Sequence, residues 1–249
     1  MSKKSSVESK KIKTYNLMIL DKSSSMQGVR KETISGLNEQ LQSMKKAEED
    51  CKEQEQRICL VNFSSGVEIT ESWNKAVSDI QEFSNKNYDP NGMTALYDAI
   101  GMGIDKLKTE IKDELAERTA NVIVTIFTDG EENSSHKYNG SQVKKLIDEV
   151  KETGQWTVAF IGCGDNVFNV AASLGIDEKA TMVYTAGSIG TSNAFTKMSN
   201  ASYTRSMNYS TCMSSGLDTS KVNTELDFFG KDLDVSGSDQ DILNKKDNA

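Results

Sequence analysis

The sequence predicts an α/β fold in which helices cover both faces of a mostly parallel β-sheet. Segments of strand length alternate along the chain with segments whose apolar residues recur at helical spacing. Residues 121–127 are apolar almost throughout, which is typical of a central strand buried on both faces. The short turn Ser64-Ser65-Gly66 joins two further strands and predicts an antiparallel hairpin. We therefore expect a six-stranded sheet in which one edge strand is antiparallel.

The first half of the chain supplies the hairpin and the first helices. Strands are expected at residues 15–20, 57–63 and 67–70, and the last two strands form the hairpin. Helices are expected at residues 29–49, 77–83 and 95–115. A helix between the first two strands is the connection that a parallel pair requires.

The second half continues the alternation and completes the sheet. Strands are expected at residues 121–127, 156–161 and 181–184. Helices are expected at residues 143–150, ending near Gly154, at 167–174 and at about 192–205. Because most of these strands are separated by helices, the pattern favours right-handed parallel connections.

Composition divides the chain into three parts. Residues 1–13 are polar and lysine-rich, and we expect a flexible basic segment there. Residues 14–205 carry the strands and helices and are expected to form the domain. Residues 206–249 are dominated by Ser, Thr, Asn, Gly and Asp, which predicts an acidic, mostly disordered tail. The pair Phe228-Phe229 is an isolated apolar feature of that tail.

The charge of the chain argues against several classes of partner. The formal net charge is −8, so the protein repels phosphate backbones and anionic lipid, and we expect no nucleic-acid or membrane partner. The N-terminal residues show no apolar signal-peptide core, which favours a cytoplasmic protein. The four cysteines form no CxxC pair and are expected to be reduced, largely buried thiols.

Oxygen-bearing side chains follow the predicted strands at the positions where α/β sheets bind ligands. Asp21, Ser23 and Ser25 follow the first strand, Asp129 follows the fourth, and Thr94 precedes a long helix. Hydroxyls and carboxylates are hard donors that suit Mg²⁺, with Mn²⁺ or Ca²⁺ as alternatives. Taken one at a time, the same residues are also common in turns and helix caps. Their combination predicts a metal site.

Three motifs within these loops resemble von Willebrand factor A (vWA) domains. Asp21-Lys-Ser23-Ser-Ser25 is similar to the family's DxSxS signature, the segment around Thr94 to its threonine motif, and Thr128-Asp129-Gly130 to its TDG motif. The motifs occur in the family's order, and the resemblance extends over about residues 15–205, most of all to small free-standing bacterial members. It implies a Rossmann-like vWA fold with a metal-ion-dependent adhesion site (MIDAS).

The resemblance also implies a role for each site residue. Ser23, Ser25 and Thr94 would coordinate the metal directly or nearly so, and Asp21 and Asp129 would act largely through water. A Glu or Asp of a partner protein would complete the coordination shell. Two positions depart from the family pattern, because Ser24 and Met93 stand where glycine is frequent. Both departures are expected to affect the shape of the loops rather than the donors.

The sequence therefore predicts a metal-dependent protein–protein interaction module that is not an enzyme. By resemblance, its partner is an AAA-type ATPase, a kinase or a phosphatase encoded nearby, in stress response, complex assembly or phage defence. Two alternatives stay open: a metal-assisted phosphoesterase, and a scaffold that binds through Phe228-Phe229 in its tail. Near the predicted site, Glu131 and Glu132 are interpreted as a solvated charge pair, and His136 as a surface residue.

Overall fold

A computed structural model describes residues 11–220, 222 and 227–230 of the chain. The strands are β1 (Ile12–Asp21), β2 (Gln54–Phe63), β3 (Val67–Ile69), β4 (Lys75–Ala76), β5 (Ala120–Thr128), β6 (Trp156–Cys163) and β7 (Thr181–Tyr184). The helices are α1 (Arg30–Asp50), α2 (Leu96–Glu110), α3 (Lys112–Ala116), α4 (Gly140–Glu152), α5 (Val167–Ser173) and α6 (Ser188–Ser214). None of the helices in these ranges is long and apolar enough to cross a membrane.

The strands form one mixed sheet in the order β3-β2-β1-β5-β6-β7, and β4 also pairs with β2. β2 pairs antiparallel with β3 and β4, whereas all other neighbours are parallel, so the predicted α/β class and the hairpin are confirmed. Among the strands in the described ranges, the two-residue β4 is the one that the sequence did not predict. From β1 the chain proceeds to β2 on one side and later to β5 on the other. The crevice above β1 and β5 is therefore the topological switch point where such sheets bind ligands.

Helices cover both faces of the sheet, and β5 is buried along its whole length. Val124 and Ile126 of β5 face the apolar cluster beneath α2 and α4, whereas Phe127 faces the cluster beneath α1 and α6. On this second face, α1 and α6 approach each other closely at Gly36. A Cβ added to Gly36 would lie only 2.1 Å from the Phe195 ring, so glycine is required for this packing.

The helix expected at residues 77–83 is wrong, because only Val77–Asp79 forms a short 3-10 turn. The buried side chains of Val77, Ile80 and Phe83 produced the helical spacing. Helical hydrogen bonds are replaced by bonds to α1: the amide of Asn38 donates to the Phe83 carbonyl and accepts from its N–H, at 3.0 and 2.7 Å. The ammonium of Lys45 likewise donates to the Ile80 carbonyl. A tertiary contact has therefore overridden the local pattern.

The first strand and the last helix are longer than predicted. β1 begins at Ile12 rather than at 15, and α6 continues to Ser214 rather than ending near 205. The extension was missed because most of its buried side chains are polar: Ser206 and Asn208 are buried beside the single aromatic Tyr209. The Ser206 carbonyl also accepts a hydrogen bond from Gln54. The disorder expected for residues 1–10, 221, 223–226 and 231–249 lies outside the described residues.

The aromatic pair in the predicted tail packs against the protein's own domain. Phe228 is 5% exposed and lies in an apolar cluster with Ile123 of β5 and Ala159 of β6. Its N–H donates a 3.1 Å hydrogen bond to the carbonyl of Lys179, and the guanidinium of Arg205 lies 5.5 Å from the ring centroid. Residues 227–230 are therefore part of the cover of the sheet.

All four cysteines are free thiols, as predicted. Cys51 and Cys59 are buried, whereas Cys163 and Cys212 are half-buried.

Candidate metal centre

The carboxylate of Asp21 is fixed at the carboxyl end of β1. The side chain is fully buried, and its two oxygens accept different hydrogen bonds: Oδ1 from the N–H of Ser23 at 2.7 Å and Oδ2 from the hydroxyl of Thr128 at 2.6 Å. The carbonyl of Asp21 accepts a further bond from the buried hydroxyl of Tyr88 at 2.6 Å. The first loop of the site (residues 22–25, after β1) is therefore tied both to the end of β5 and to the second loop (residues 87–95, before α2).

The serines of the first loop extend from Asp21 towards Asp129. Oγ of Ser23 lies 3.0 Å from Oγ of Ser25, and the Ser25 hydroxyl donates a 2.6 Å hydrogen bond to Oδ1 of Asp129. Ser23 is buried and Asp129 is half-buried, whereas Ser25 is exposed. This row of oxygens begins inside the protein and ends at the solvent-facing edge of the site.

Thr94 approaches the same point from the second loop and is only 4% exposed. The loop is held against the first by two backbone bonds, from Asn91 N–H to the Lys22 carbonyl at 2.8 Å and from Ser24 N–H to the Gly92 carbonyl at 3.1 Å. A Cβ added to Gly130 would lie 3.1 Å from Oγ1 of Thr94 and 3.7 Å from Oδ2 of Asp21. The structure therefore brings together all five predicted residues.

Two further residues of the third loop (residues 129–139, after β5) hold the second loop and the start of α2 in place, and neither role was predicted from the sequence. The side-chain carbonyl of Asn133 accepts a 2.8 Å hydrogen bond from the backbone N–H of Thr94. The backbone N–H of Asn133 donates a 3.0 Å bond to the Thr94 carbonyl. Glu132 accepts a 2.8 Å bond from the N–H of Tyr97, in the first turn of α2. Its interpretation as part of a solvated charge pair is wrong, because the half-buried carboxylate caps α2 from a distant loop. No local sequence signal indicates these contacts, because Asn133 and Glu132 are 35 or more residues away from the residues that they bond.

A further contact between α2 and the third loop is made by Asp98. Its carboxylate accepts backbone N–H bonds from His136, Lys137 and Tyr138 at 2.7–2.9 Å. Burial raises the pKa of Asp98, but these hydrogen bonds outweigh burial and hold that pKa below its usual value. The side chain of His136 is exposed, as predicted.

Burial shifts the ionisation of both site carboxylates in the same direction. It raises the pKa of Asp21 to about 6. Hydrogen bonds from the side chains of Thr128 and Ser23 and from the backbone N–H of Ser23 oppose this shift. Burial also raises the pKa of Asp129, against the hydrogen bond from Ser25. Ionised Asp21 and Asp129 therefore share a partly desolvated space, and a bound cation would relieve the free-energy cost of that charge.

The arrangement fits a hard divalent cation. The five side chains offer only hydroxyl and carboxylate oxygens, and the 3.0 Å between the two serine oxygens is close to the ~3 Å that separates adjacent ligands around octahedral Mg²⁺. Because both oxygens of Asp21 already accept hydrogen bonds, that carboxylate suits contact through water. No group of three or more His, Cys, Asp or Glu residues in the described ranges could hold a metal ion, so a metal here depends on the hydroxyls.

The two departures from the family pattern leave the donors in place. Met93 replaces a frequent glycine, but Gly92 beside it adopts a φ of +80°, which supplies the backbone conformation that glycine permits. The Met93 N–H donates to the hydroxyl of Ser65 at 2.9 Å, and its side chain is 52% exposed. Ser24 is exposed, and its N–H makes the bond to Gly92. Where related domains frequently have glycine before the threonine, this protein therefore presents the exposed apolar side chain of Met93.

Comparison with known proteins supports the same fold. The von Willebrand factor type A from Catenulispora acidiphila is 14% identical, with a TM-score of 0.51 over 77% of this chain and 43% of that chain. The SpRpn10 VWA domain is 10% identical, with a TM-score of 0.50 over 73% and 93% of the two chains. The pilus adhesin SpaC from Lactobacillus rhamnosus GG is 13% identical, with a TM-score of 0.56 over 80% and 31%. At these identities the similarity shows the fold alone.

The chain spans less than half of the first of these structures and of the pilus adhesin. No curated protein matches the sequence. The family model that matches is the von Willebrand factor type A domain, over residues 17–132, which include Asp21, Thr94 and Asp129. Residues 17–132 therefore match the von Willebrand factor type A domain model, and the fold of the chain is similar to that of solved vWA domains.

Proposed function

We propose that this protein is a metal-dependent protein-binding module. Asp21, Ser23, Ser25, Thr94 and Asp129 would hold Mg²⁺, with Mn²⁺ or Ca²⁺ as alternatives, and a Glu or Asp of a partner protein would complete the shell. The observation that carries the proposal is the convergence of these five oxygen-bearing side chains at the switch point of the sheet, with Ser25 at the solvent-facing edge.

In such a site, different residues of this chain would have different roles. When bound, the cation supplies the positive charge that attracts the partner's carboxylate. Asp21 holds the backbone of Ser23 in place through its 2.7 Å hydrogen bond, and Asn133 does the same for Thr94. Asp129 orients the exposed hydroxyl of Ser25. The site is therefore largely preorganised, which lowers the entropic cost of binding.

We further propose that the module is a non-enzymatic adaptor in a bacterial multi-protein system and acts in the cytoplasm. The resemblance of its motifs to small free-standing bacterial vWA proteins supports this role. An AAA-type ATPase, a kinase or a phosphatase encoded nearby is the proposed partner, and the role would be in stress response, complex assembly or phage defence. The acidic character of the chain supports a protein partner over nucleic acid or membrane.

Affinity purification in Mg²⁺ and in EDTA tests the proposal. Wild-type protein should capture a partner in Mg²⁺, lose it in EDTA and regain it when Mg²⁺ is restored. Ser25→Ala should lose the partner in Mg²⁺. Ser24→Ala, which alters the adjacent exposed serine that is not one of the five proposed ligands, should retain it. Capture of the same partner by wild type in EDTA and by Ser25→Ala would contradict a metal-dependent module.

A further inference from the structure

A cleft of about 260 Å³ lies directly beside the candidate metal centre. Thr128 and Gly130 line it, and both also contact the site: Thr128 donates to Asp21, and Gly130 packs against Thr94. The cleft extends from there over the carboxyl end of β6 to the start of α5. A partner whose carboxylate reaches the metal centre would therefore place its neighbouring residues over this cleft.

The cleft combines an apolar floor with an acidic rim. Leu96, Phe160 and Val167 line it and are at most 4% exposed. Glu131 and Asp165 also line it, and both are exposed. An apolar base beneath two carboxylates suits a long side chain that is aliphatic along its stem and positively charged at its end.

The two rim carboxylates differ from the charges elsewhere around the site. In the first loop, Lys22 pairs with Glu68 at 2.5 Å. At the start of α1, Arg30 pairs with Asp89 at 3.0 Å. Neither Glu131 nor Asp165 forms an ion pair with another residue in the part of the chain that the structure describes. The rim of the cleft therefore carries two carboxylates whose negative charge is not offset by an ion pair within the described residues.

We infer that this cleft receives a lysine or arginine side chain of the same partner segment that supplies the carboxylate to the metal. The inference rests on the proposed function and specifies the partner's chemistry. The partner's carboxylate approaches a chain of net charge −8 and is repelled by Glu131 and Asp165. A lysine or arginine side chain beside that carboxylate offsets the repulsion. The binding determinant is thus an acidic residue with a basic neighbour, rather than an acidic residue alone.

The position of the cleft limits the spacing of the two residues. Gly130 lines the cleft and is the residue next to Asp129. The basic side chain and the carboxylate of the partner must therefore reach adjacent positions on the surface of this protein. An extended segment advances about 3.5 Å per residue. We therefore expect the basic residue one to three positions from the acidic one.

A peptide array tests this inference on the full chain. Each peptide carries one Glu, with Lys, Arg, Leu or Asp placed one to three positions away, and the array is probed in Mg²⁺ and in EDTA. Wild type should favour the Lys and Arg peptides over the Leu peptides by about two- to fivefold, the range of an exposed ion pair, and disfavour the Asp peptides. The binding of all peptides should require Mg²⁺.

Variants of the rim separate this inference from the proposed function. Asp165→Lys should lose the preference for basic peptides, Glu131→Gln should weaken it, and both should keep magnesium-dependent capture. Glu178→Lys makes the same charge change at an exposed position beyond the cleft and should keep the preference. Magnesium-dependent capture without a basic preference, or a preference unchanged in Asp165→Lys, would overturn the inference alone. No magnesium-dependent capture of any peptide would overturn the proposed function and this inference with it.

Discussion

The hydroxyl of Ser25 donates a 2.6 Å hydrogen bond to Oδ1 of Asp129, across 104 residues of sequence. The two residues belong to loops that follow β1 and β5, which are neighbours in the sheet. The contact exists because parallel strands bring their carboxyl ends to one edge. It also marks where a cation would act, since both oxygens face the partly solvated end of the site.

Replacing Asp98 by Ala should destabilise the protein and loosen the third loop. The change leaves three backbone N–H groups of residues 136–138 without their acceptor. We expect a loss of about 1–3 kcal/mol in the free energy of unfolding, measured by urea denaturation. Asp148→Asn, which alters an exposed ion pair on α4, is the control and should change stability little. Equal unfolding midpoints for Asp98→Ala and wild type would show that the loop does not depend on Asp98.

The stability of the metal-free protein should depend on pH through Asp21. Its pKa is about 6 in the folded protein, above the value of about 3.9 in unfolded chains, so the folded state binds more protons between these values. The contribution of Asp21 to stability is therefore fully present below the unfolded pKa and is lost as the pH rises through about 6.

Thermal unfolding from pH 5 to 7.5, without divalent cations, measures this effect. Asp21→Asn removes the titrating group, so the Tm of this variant minus the Tm of the wild-type protein should increase as the pH rises. Saturating Mg²⁺ should reduce this difference, because a cation stabilises the ionised carboxylate. A difference that stays constant across this pH range would show that Asp21 does not titrate there.

Replacing Phe228 by Ala should destabilise the domain although the residue lies in the predicted tail. The ring is 5% exposed, and its burial should contribute about 1.5–3 kcal/mol to stability. Phe168→Ala is a matched control, because that ring is 45% exposed. Urea denaturation should show a lower midpoint for Phe228→Ala only. Equal midpoints for both variants would mean that residues 227–230 contribute nothing to the cover of the sheet.

The sequence predicted the parts of the fold that depend on local patterns. β5 was identified from its continuous apolar run, because burial on both faces of the sheet selects such residues. The helix expected at 77–83 failed because Asn38 binds the backbone at Phe83, a contact between distant residues. The far end of α6 was missed because most of the side chains that it buries are polar, so apolar residues do not recur there at helical spacing.

The site divides in the same way. The side chains that converge could be named from loop motifs, because the order of strands in such a sheet places their ends together. The residues that support them could not. Asn133 bonds to Thr94, and Glu132 caps α2, through contacts between loops that no spacing in the sequence reveals. Binding of a metal by the five residues stays a prediction.

Isothermal titration of the full chain with Mg²⁺ tests the central claim most directly. Wild type and Ser24→Ala should bind Mg²⁺ with the same affinity, and Ser25→Ala should bind it about tenfold or more weakly, because it lacks a donor and the hydrogen bond to Asp129. Circular dichroism should be unchanged in both variants, since both serines are exposed. No binding of Mg²⁺, Mn²⁺ or Ca²⁺ by wild type, or equal Mg²⁺ affinity in all three proteins, would contradict a metal site built on Ser25.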